Sequence, residues 1–325
     1  MLRIKIVLFC SLLLISCEKN PVDNNKSTPP DEERILFVRQ VKGKLSQICT
    51  IKPDGSDLRV IHETKYSFIN RGIHYAIWSP DKSKILFEGE EESLELCPIW
   101  IMDSNSGEVL YQLTDNGGSG VWSPDGKHII FSRMKSWASL INDLYIIDSD
   151  GRNERVLFQT DSLSVHATDW SQDTQKLLVG VIHYFYDSEN RLNEERPKIG
   201  VFDMNTGSIQ YIVEDDYLQN FGAKWSPDGS KIVYISGLYT QKYGIYLLDL
   251  NTDTTICLTD SLDYYSKVIW SPDSKRIAFT KRNSNLTGRF GTCDDIFVMD
   301  IETRSIINIT NTASDSISSE VMDWK

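Results

Sequence analysis

Three side chains that can bind metals or anions stand at the same distance from a recurring tryptophan. His74, His166 and Glu320 each lie four residues before such a Trp, and the chain has only five histidines. Imidazole and carboxylate groups ligate transition metals, and a protonated imidazole pairs with anions. The three could form a metal site or an anionic-ligand site if the fold brings them together. We favour chance alignment, since no third histidine shares the position, and we predict no cofactor.

The sequence lacks the short motifs of several enzyme classes. It contains no Gly-x-Ser-x-Gly elbow, no His-Glu-x-x-His, no phosphate-binding glycine loop and no Cys-x-x-Cys. The chain is also acidic, with 34 basic against 46 acidic residues and a formal net charge of −12. A surface of that sign repels polyphosphate, so we expect no nucleic-acid partner. A binding protein is therefore favoured over an enzyme.

An internal repeat must position any such site. Trp78, Trp122, Trp170, Trp225 and Trp270 are each followed by Ser-Pro-Asp or Ser-Gln-Asp, at spacings of 44, 48, 55 and 45 residues. Nine residues after each Trp stands a large apolar residue, and a second apolar run then ends in Asp. We interpret each unit as four short strands, A to D, in which strand A ends at the Trp and Ser-Pro-Asp-Gly forms the A-B turn. One such sheet cannot bury both of its faces, so the units must stack around a ring.

The two ends of the chain complete a sixth unit. Residues 34–37 match residues 84–87 almost letter for letter, but no strand A precedes them. Residues 319–324 supply a strand A at the other end of the chain. We therefore predict an all-β fold over residues 35–325, a six-bladed β-propeller of four-stranded antiparallel blades. Its C-terminal strand joins the N-terminal blade and so removes a free sheet edge.

These Trp-Ser-Pro-Asp-Gly units, each followed by an apolar strand ending in Asp, resemble the TolB-type propeller repeat over essentially all of residues 35–325. The resemblance implies the propeller fold but leaves the function open, because this repeat serves scaffolds, lyases and the propeller halves of peptidases. TolB is soluble in the periplasm and carries an α/β domain before its propeller, whereas only a tether is expected in this chain. We therefore do not expect this chain to be TolB itself.

Residues 1–16 have the features of an export signal. Two basic residues precede an apolar run that is shorter than the ~20 residues of a membrane-spanning helix. Residues 14–17, Leu-Ile-Ser-Cys, resemble the lipobox of bacterial lipoproteins, which implies cleavage before Cys17 and diacylglycerol and acyl groups on that residue. Several acyl chains make a stable membrane anchor. Residues 17–34 would then be the lipidated Cys and a flexible tether, and the alternative is a plain secretory signal.

Four cysteines remain beyond the leader and Cys17, namely Cys49, Cys97, Cys257 and Cys293. Export permits disulfides, and four cysteines allow three pairings. Their spacing matches no zinc-binding pattern. Buried free thiols and a single disulfide bridge are both open interpretations.

Strand order assigns the loops to two faces of the ring. The A-B and C-D turns are short and share one face, the turn face. The B-C and D-A loops vary and share the other face, the variable face, where the position four before each Trp lies at the channel mouth. Binding residues concentrate on variable loops, and binding surfaces favour aromatics and Arg. The variable-face candidates are Trp137, Tyr184, Tyr186, Arg191, Arg196, Tyr239, Tyr264, Tyr265 and Arg289. The competing interpretation is that several of these side chains have only a packing role at the ends of the blades.

Together these features favour a monomeric, non-enzymatic binding or scaffold protein. It would be lipid-anchored to a bacterial membrane, at the outer membrane or on the periplasmic side, and would bind an envelope protein or a glycan through the variable face. The alternative is a polysaccharide lyase, since oligogalacturonate lyases resemble this repeat and bind a metal through channel histidines, which in this chain would be His74 and His166. A peptidase is less favoured, because the propeller occupies the chain and leaves no hydrolase domain.

Overall fold

The structure, a computed structural model, describes residues 32–41, 45–67, 72–89, 97–135, 140–189, 191–215, 217–238, 243–259, 265–288, 291–312 and 317–325. These residues form 25 β-strands, numbered β1 to β25 in chain order. The expected leader, Cys17 and the tether as far as residue 31 lie outside the described residues. In the part of the chain that is described, we find no helix with the length and apolar character that a membrane span requires.

The strands group into six blades, in each of which the order runs from the inner to the outer strand. Blade 1 contains β25 (Ile317–Trp324), β1 (Ile35–Val41), β2 (Leu45–Ile51) and β3 (Arg59–Ser67). Blade 2 contains β4 (Tyr75–Trp78), β5 (Lys84–Glu88), β6 (Ile99–Asp103) and β7 (Val109–Thr114). Blade 3 contains β8 (Gly118–Trp122), β9 (His128–Met134), β10 (Asn142–Asp148) and β11 (Arg155–Phe158). Blade 4 contains β12 (Leu163–Trp170), β13 (Lys176–Tyr186), β15 (Lys198–Asp203) and β16 (Ile209–Val213), with β14 (Leu192–Glu194) paired to β13. Blade 5 contains β17 (Gln219–Trp225), β18 (Lys231–Gly237), β19 (Tyr243–Asp249) and β20 (Thr254–Cys257). Blade 6 contains β21 (Tyr265–Trp270), β22 (Arg276–Gly288), β23 (Gly291–Asp300) and β24 (Ile306–Asn308).

The predicted fold is confirmed, including the closure of the ring. All pairings within the blades are antiparallel, and β25 pairs with β1 from Ile35 opposite Trp324 to Val41 opposite Ile317. The closing strand is two residues longer than the 319–324 that the repeat predicts. The N-terminal blade therefore takes its inner strand from the C-terminal end of the chain, and β1 has no free edge.

The repeated Ser-Pro-Asp turns hold their shape through side-chain hydrogen bonds. In blade 2, the Ser79 hydroxyl donates to Asp81 Oδ1 at 2.6 Å and accepts the backbone N–H of Lys84 at 3.0 Å. The next turn position takes a positive φ in every blade that has this turn. It is Gly126 and Gly229 in two blades, but Lys82 adopts the same left-handed conformation at φ 61°. The serine and aspartate of each turn therefore act as structural residues, as expected of turn residues.

The core lies between neighbouring blades. The residue nine positions after each repeat Trp is buried, as in Phe87, which is fully buried against Leu36 and Val38 of blade 1. Equivalent contacts place Phe131 between blades 2 and 3, and Phe279 between blades 5 and 6. Fully burying a side chain of this size contributes about 1.5–3 kcal/mol. Packing between blades therefore fixes the inner strands, whose side chains line the central channel.

Candidate functional site

Five of the six pairs of neighbouring inner strands are in close contact around the channel, namely β8 with β12, β12 with β17, β17 with β21, β21 with β25 and β25 with β4. Five of the six inner strands contain a register shift, at which one or more residues are left out of the regular ladder. In β21 the shift falls between Tyr265 and Val268, and in β8 it falls between Gly118 and Val121. Such bulges re-aim side chains. They determine which residues meet at the channel mouth on the variable face.

Lys267 is the centre of the polar cluster at that mouth. Its ammonium lies 3.6 Å from Glu320 Oε2, 3.0 Å from the sulfur of Met322 and 5.2 Å from the centre of the Tyr75 ring. The charges of Lys267 and Glu320 also act on His74. Burial is the main cause that lowers the pKa of His74, the Lys267 charge lowers it further, and the Glu320 carboxylate opposes both. Two of the three predicted side chains, His74 and Glu320, therefore share one electrostatic environment.

Glu88 completes this mouth cluster of His74, Tyr75, Glu88, Lys267 and Glu320. Its carboxylate is buried and accepts the backbone N–H of Gly120 at 3.2 Å. Burial raises its pKa to about 7, and the Gly120 N–H and the Lys267 charge partly offset that rise. Burial likewise raises the pKa of Tyr75, and nearby carboxylates, Glu88 among them, add to the effect. The cluster thus holds a carboxyl group that can gain or lose a proton near neutral pH.

His166 has a different environment from His74 and Glu320. Its Nδ1 lies 3.2 Å from the hydroxyl of Ser132, and its Nε2 lies 3.2 Å from that of Ser164 and 3.3 Å from the Asn142 amide. Burial lowers its pKa, which favours the neutral ring. Among the residues that the structure describes, no group of three or more His, Cys, Asp or Glu side chains is arranged to hold a metal ion. The three predicted side chains do not form one ligand set.

Sequence reasoning missed Lys267, Tyr75 and Glu88. The first two lie three residues before the repeat Trp, one position closer than the register used to select His74. Glu88 follows the buried apolar residue of strand B, where an acidic side chain is unusual. The rarity of a charged residue at that buried position is the feature that could have revealed Glu88. The bulge that determines the position of Lys267 could not be predicted from the sequence, because no residue pattern indicates it.

A two-stranded arm extends blade 4 on the variable face. The arm consists of the outer end of β13 and of β14, with Tyr186 opposite Leu192 and Tyr184 opposite Glu194. Tyr186 is 66% exposed and Leu192 is 39% exposed, while Tyr184 is half-buried. Arg191 turns back onto Asp187 at 2.9 Å. The arm therefore presents an aromatic and aliphatic surface, and an ion pair stabilises its turn.

The other variable-face candidates have different positions. Arg196 is exposed beside the arm. Tyr265 is buried, and its ring packs edge-on against Phe279 at 5.7 Å, so it belongs to the core and is not available as a binding residue. The remaining candidates lie outside the described residues, namely Trp137, Tyr239, Tyr264 and Arg289.

Three of the four cysteines are free thiols, namely Cys49, Cys97 and Cys257. Burial raises the pKa of Cys49 to about 12 and that of Cys97 to about 11. Thiols with such values are poor nucleophiles, because the thiolate is the reactive form. The side chain of Cys293 lies outside the described part of the chain.

A large cavity opens on the opposite side of the ring, at the turn face. It has a volume of about 930 Å³, and all six repeat tryptophans line it together with residues of the A-B turns. Asp169, Lys224 and Asp323 of the inner strands and Lys325, which follows β25, contribute charges to its wall. The A-B turns and the starts of the second strands contribute further charges, from Lys82, Asp173, Lys176 and Asp228. This turn-face cavity was not expected from the sequence, since the A-B and C-D turns are short and stereotyped.

Comparisons with known proteins agree with this architecture. The family described as TolB beta propeller domain matches residues 139–322. A search of curated proteins finds no match. Among solved structures, TolB from Acinetobacter baumannii aligns with a TM-score of 0.70 and 19% identity. The alignment covers 90% of this chain and 66% of that one, so this chain spans about two thirds of the length of that TolB.

Two further structures share the fold. The β-propeller domain of the Trilobed protease from Pyrococcus furiosus aligns with a TM-score of 0.54 and 18% identity, over 87% of this chain and 79% of that one. Oligogalacturonate lyase from Vibrio parahaemolyticus aligns with a TM-score of 0.50 and 14% identity, over 85% of each chain. These similarities show a common fold.

Proposed function

This chain belongs to the TolB beta propeller family, and from that premise we propose that it is a non-enzymatic binding protein of the bacterial cell envelope. In this proposal, acyl groups on Cys17 anchor it to a membrane, and the variable face binds an envelope protein or a glycan. The observation that carries the proposal is the exposed arm of blade 4. Its Tyr186 and Leu192 project from a rigid scaffold, as residues of a binding surface do.

The point at which the N-terminal segment leaves the propeller supports an orientation in which the variable face is directed away from the membrane. Residues 32–34 lie on the turn face, where Glu32 pairs with Lys52 at 2.7 Å and Glu33 pairs with Arg276 at 2.8 Å. A tether that precedes these residues would leave the ring from the turn face. The variable face, on the opposite side, would then point away from the membrane and towards a partner.

The arm supplies the binding test. The purified, acylated protein would be used to capture partners from solubilised envelopes and to screen a glycan array. We expect a specific partner that Tyr186→Ala and Leu192→Ala weaken by at least about ten-fold, since buried aromatic anchors dominate binding energy. Leu58→Ala is the matched control, because Leu58 is 48% exposed and lies at the turn face of blade 1. A partner that binds both arm variants as tightly as the wild type would refute the proposed surface.

A separate experiment tests the anchor. Cys17→Ser should abolish incorporation of labelled fatty acid and move the protein from the membrane fraction to the soluble fraction. Retention of the label in Cys17→Ser would show that the acyl group, if present, is attached elsewhere.

A polysaccharide lyase is the second proposal, and the mouth cluster is the observation that favours it. Glu88, with a pKa of about 7, lies in a cluster with the Lys267 ammonium and the Tyr75 phenol, which together could serve acid-base chemistry. An assay for unsaturated products from polygalacturonate, with and without Mn²⁺, tests it. Activity that Lys267→Met abolishes would support a lyase, and no activity in the wild type would exclude this substrate.

A further inference from the structure

We propose that the turn-face cavity binds a small zwitterion, of which an α-amino acid with an apolar side chain is the simplest example. The cavity lies on the opposite side of the ring from the variable face, so this inference does not depend on the proposed function. Its volume of about 930 Å³ falls within the range of small-molecule sites. The chemistry of its wall specifies the ligand.

Two carboxylates line the cavity from opposite blades of the ring. Asp169 is in blade 4 and Asp323 is in blade 1, three blades apart in a ring of six. Each accepts two backbone N–H groups, one from its own blade and one from the neighbouring blade. For Asp169 the donors are Trp170 at 3.0 Å and Trp225 at 2.8 Å. For Asp323 they are Trp324 at 2.8 Å and Trp78 at 3.0 Å. Carboxylates fixed by backbone donors are preorganised acceptors for an ammonium group.

The Lys224 ammonium lies on the same wall as Asp169. Lys224 occupies the same register position as Asp169 in the next blade, and its ammonium donates to the carbonyl of Thr168. An ammonium has three donors, so two remain for a ligand carboxylate. The charges of Lys224 and of Lys325, which follows the inner strand of blade 1, both lower the pKa of Asp169, against the larger effect of burial. The wall thus presents opposite charges side by side, as an α-amino acid does.

Apolar side chains and the tryptophans form another part of the wall. Ile77, Val121 and Ile269 hold the register position of Asp169 in three other blades, and the repeat tryptophans surround them. Three of the six indoles keep an N–H that finds no acceptor among the described residues, namely those of Trp122, Trp170 and Trp324. An apolar ligand side chain would contact the isoleucines and the valine. A ligand of one charge sign would leave half of the charged wall unpaired, which costs binding energy.

The test uses the purified full-length protein and three probes, L-leucine, N-acetyl-L-leucine and L-leucinamide. Calorimetric titration measures affinity, and tryptophan fluorescence reports on the cavity because the six repeat tryptophans line it. We expect saturable binding of L-leucine. Each of the other two probes lacks one charge and should bind at least about ten-fold more weakly. These comparisons need no variant and so do not depend on the folding of one.

Two variants locate the site. Asp169→Asn and Lys224→Met should each weaken L-leucine binding by about ten-fold or more, with thermal unfolding as the check on folding. The matched controls Asp150→Asn and Lys127→Met alter well-exposed charges outside the cavity wall and should bind as the wild type does. The proposal is overturned if L-leucine does not bind, if either single-charge probe binds equally well, or if both cavity variants retain wild-type affinity.

Discussion

Arg34 and Lys325, at the two ends of the ring, exchange a pair of backbone hydrogen bonds. The N–H of Arg34 donates to the carbonyl of Lys325 at 2.8 Å, and that of Lys325 donates to the carbonyl of Arg34 at 3.1 Å. This pair extends the ladder between β1 and β25, so the last strand of the chain completes the first blade. Closure therefore depends on contacts between residues almost the whole sequence apart.

A charge placed in the closing strand should open the ring. Val321 is fully buried in the core between blades 1 and 6, and Val321→Asp would place an unpaired carboxylate there. We expect the free energy of unfolding to fall by about 3–5 kcal/mol, or the folded state to be lost. Urea denaturation followed by circular dichroism measures this. Val156→Asp is the control, because Val156 is exposed on an outer strand, and it should cost less than about 1 kcal/mol. Equal costs in the two variants would show that closure contributes little.

Glu88 should make the folded state less stable as the pH rises from about 4.5 to about 7. Its pKa is about 7 in the folded protein against an ordinary value of 4.5, because burial penalises the ionised form. Between these values the folded state binds the proton and the unfolded state does not, so stability falls by up to about 3 kcal/mol from pH 4.5 to pH 7. Urea denaturation across this range should show the slope, and Glu88→Gln should reduce it. The exposed Glu108→Gln should leave it unchanged. A slope that persists in Glu88→Gln would assign it to another group.

Two glycines with the same backbone conformation should respond differently to alanine. Gly107 and Gly207 occupy matching C-D turns with φ values of 70° and 71°. A Cβ at Gly207 would meet none of the described residues within 4 Å, whereas a Cβ at Gly107 would overlap the carbonyl oxygen of Ile61 in blade 1. Gly207→Ala should therefore cost about 1–2 kcal/mol for the left-handed conformation alone, and Gly107→Ala about 2 kcal/mol more. Thermal unfolding compares the two directly, and equal losses would contradict the overlap at Gly107.

The fold could be predicted from the sequence because its determinants are local and repeated. The Trp, the Ser-Pro-Asp turn and a buried residue such as Phe87 recur at fixed offsets, and each repeat needs its neighbours to cover its faces. The candidate sites depend on relationships that no local spacing encodes. Asp323 binds the N–H of Trp78, which is 245 residues away in sequence, and a bulge decides where Lys267 lies. An extra residue in a strand leaves the alternation of side chains ambiguous, so the mouth cluster could be predicted only in part.

Arg34 should tolerate no replacement, even by lysine. Its guanidinium is buried and donates to Thr50 Oγ1 at 3.1 Å and to Asp57 Oδ2 at 2.8 Å. Lysine carries the charge but lacks the planar fork that reaches both acceptors, so Arg34→Lys should cost about 2–4 kcal/mol. Urea denaturation measures the loss. Arg152→Lys, at a well-exposed ion pair, is the control and should cost less than about 0.5 kcal/mol.

Acid denaturation adds a second measurement to the Arg34 prediction. Hydrogen bonds from Arg59 and Arg34 lower the pKa of Asp57 to about 2, from an ordinary value of 3.8. Because this folded pKa is depressed, the ionised form stabilises the protein above pH 3.8, and that contribution is lost as the pH falls towards 2. In Arg34→Lys the pKa of Asp57 should rise, so that less stability is lost over this range, and two-dimensional NMR of the carboxyl group would follow it. An unchanged pKa in the variant would mean that Arg59 alone holds the Asp57 carboxylate ionised, and that Arg34 stabilises the blade mainly through Thr50.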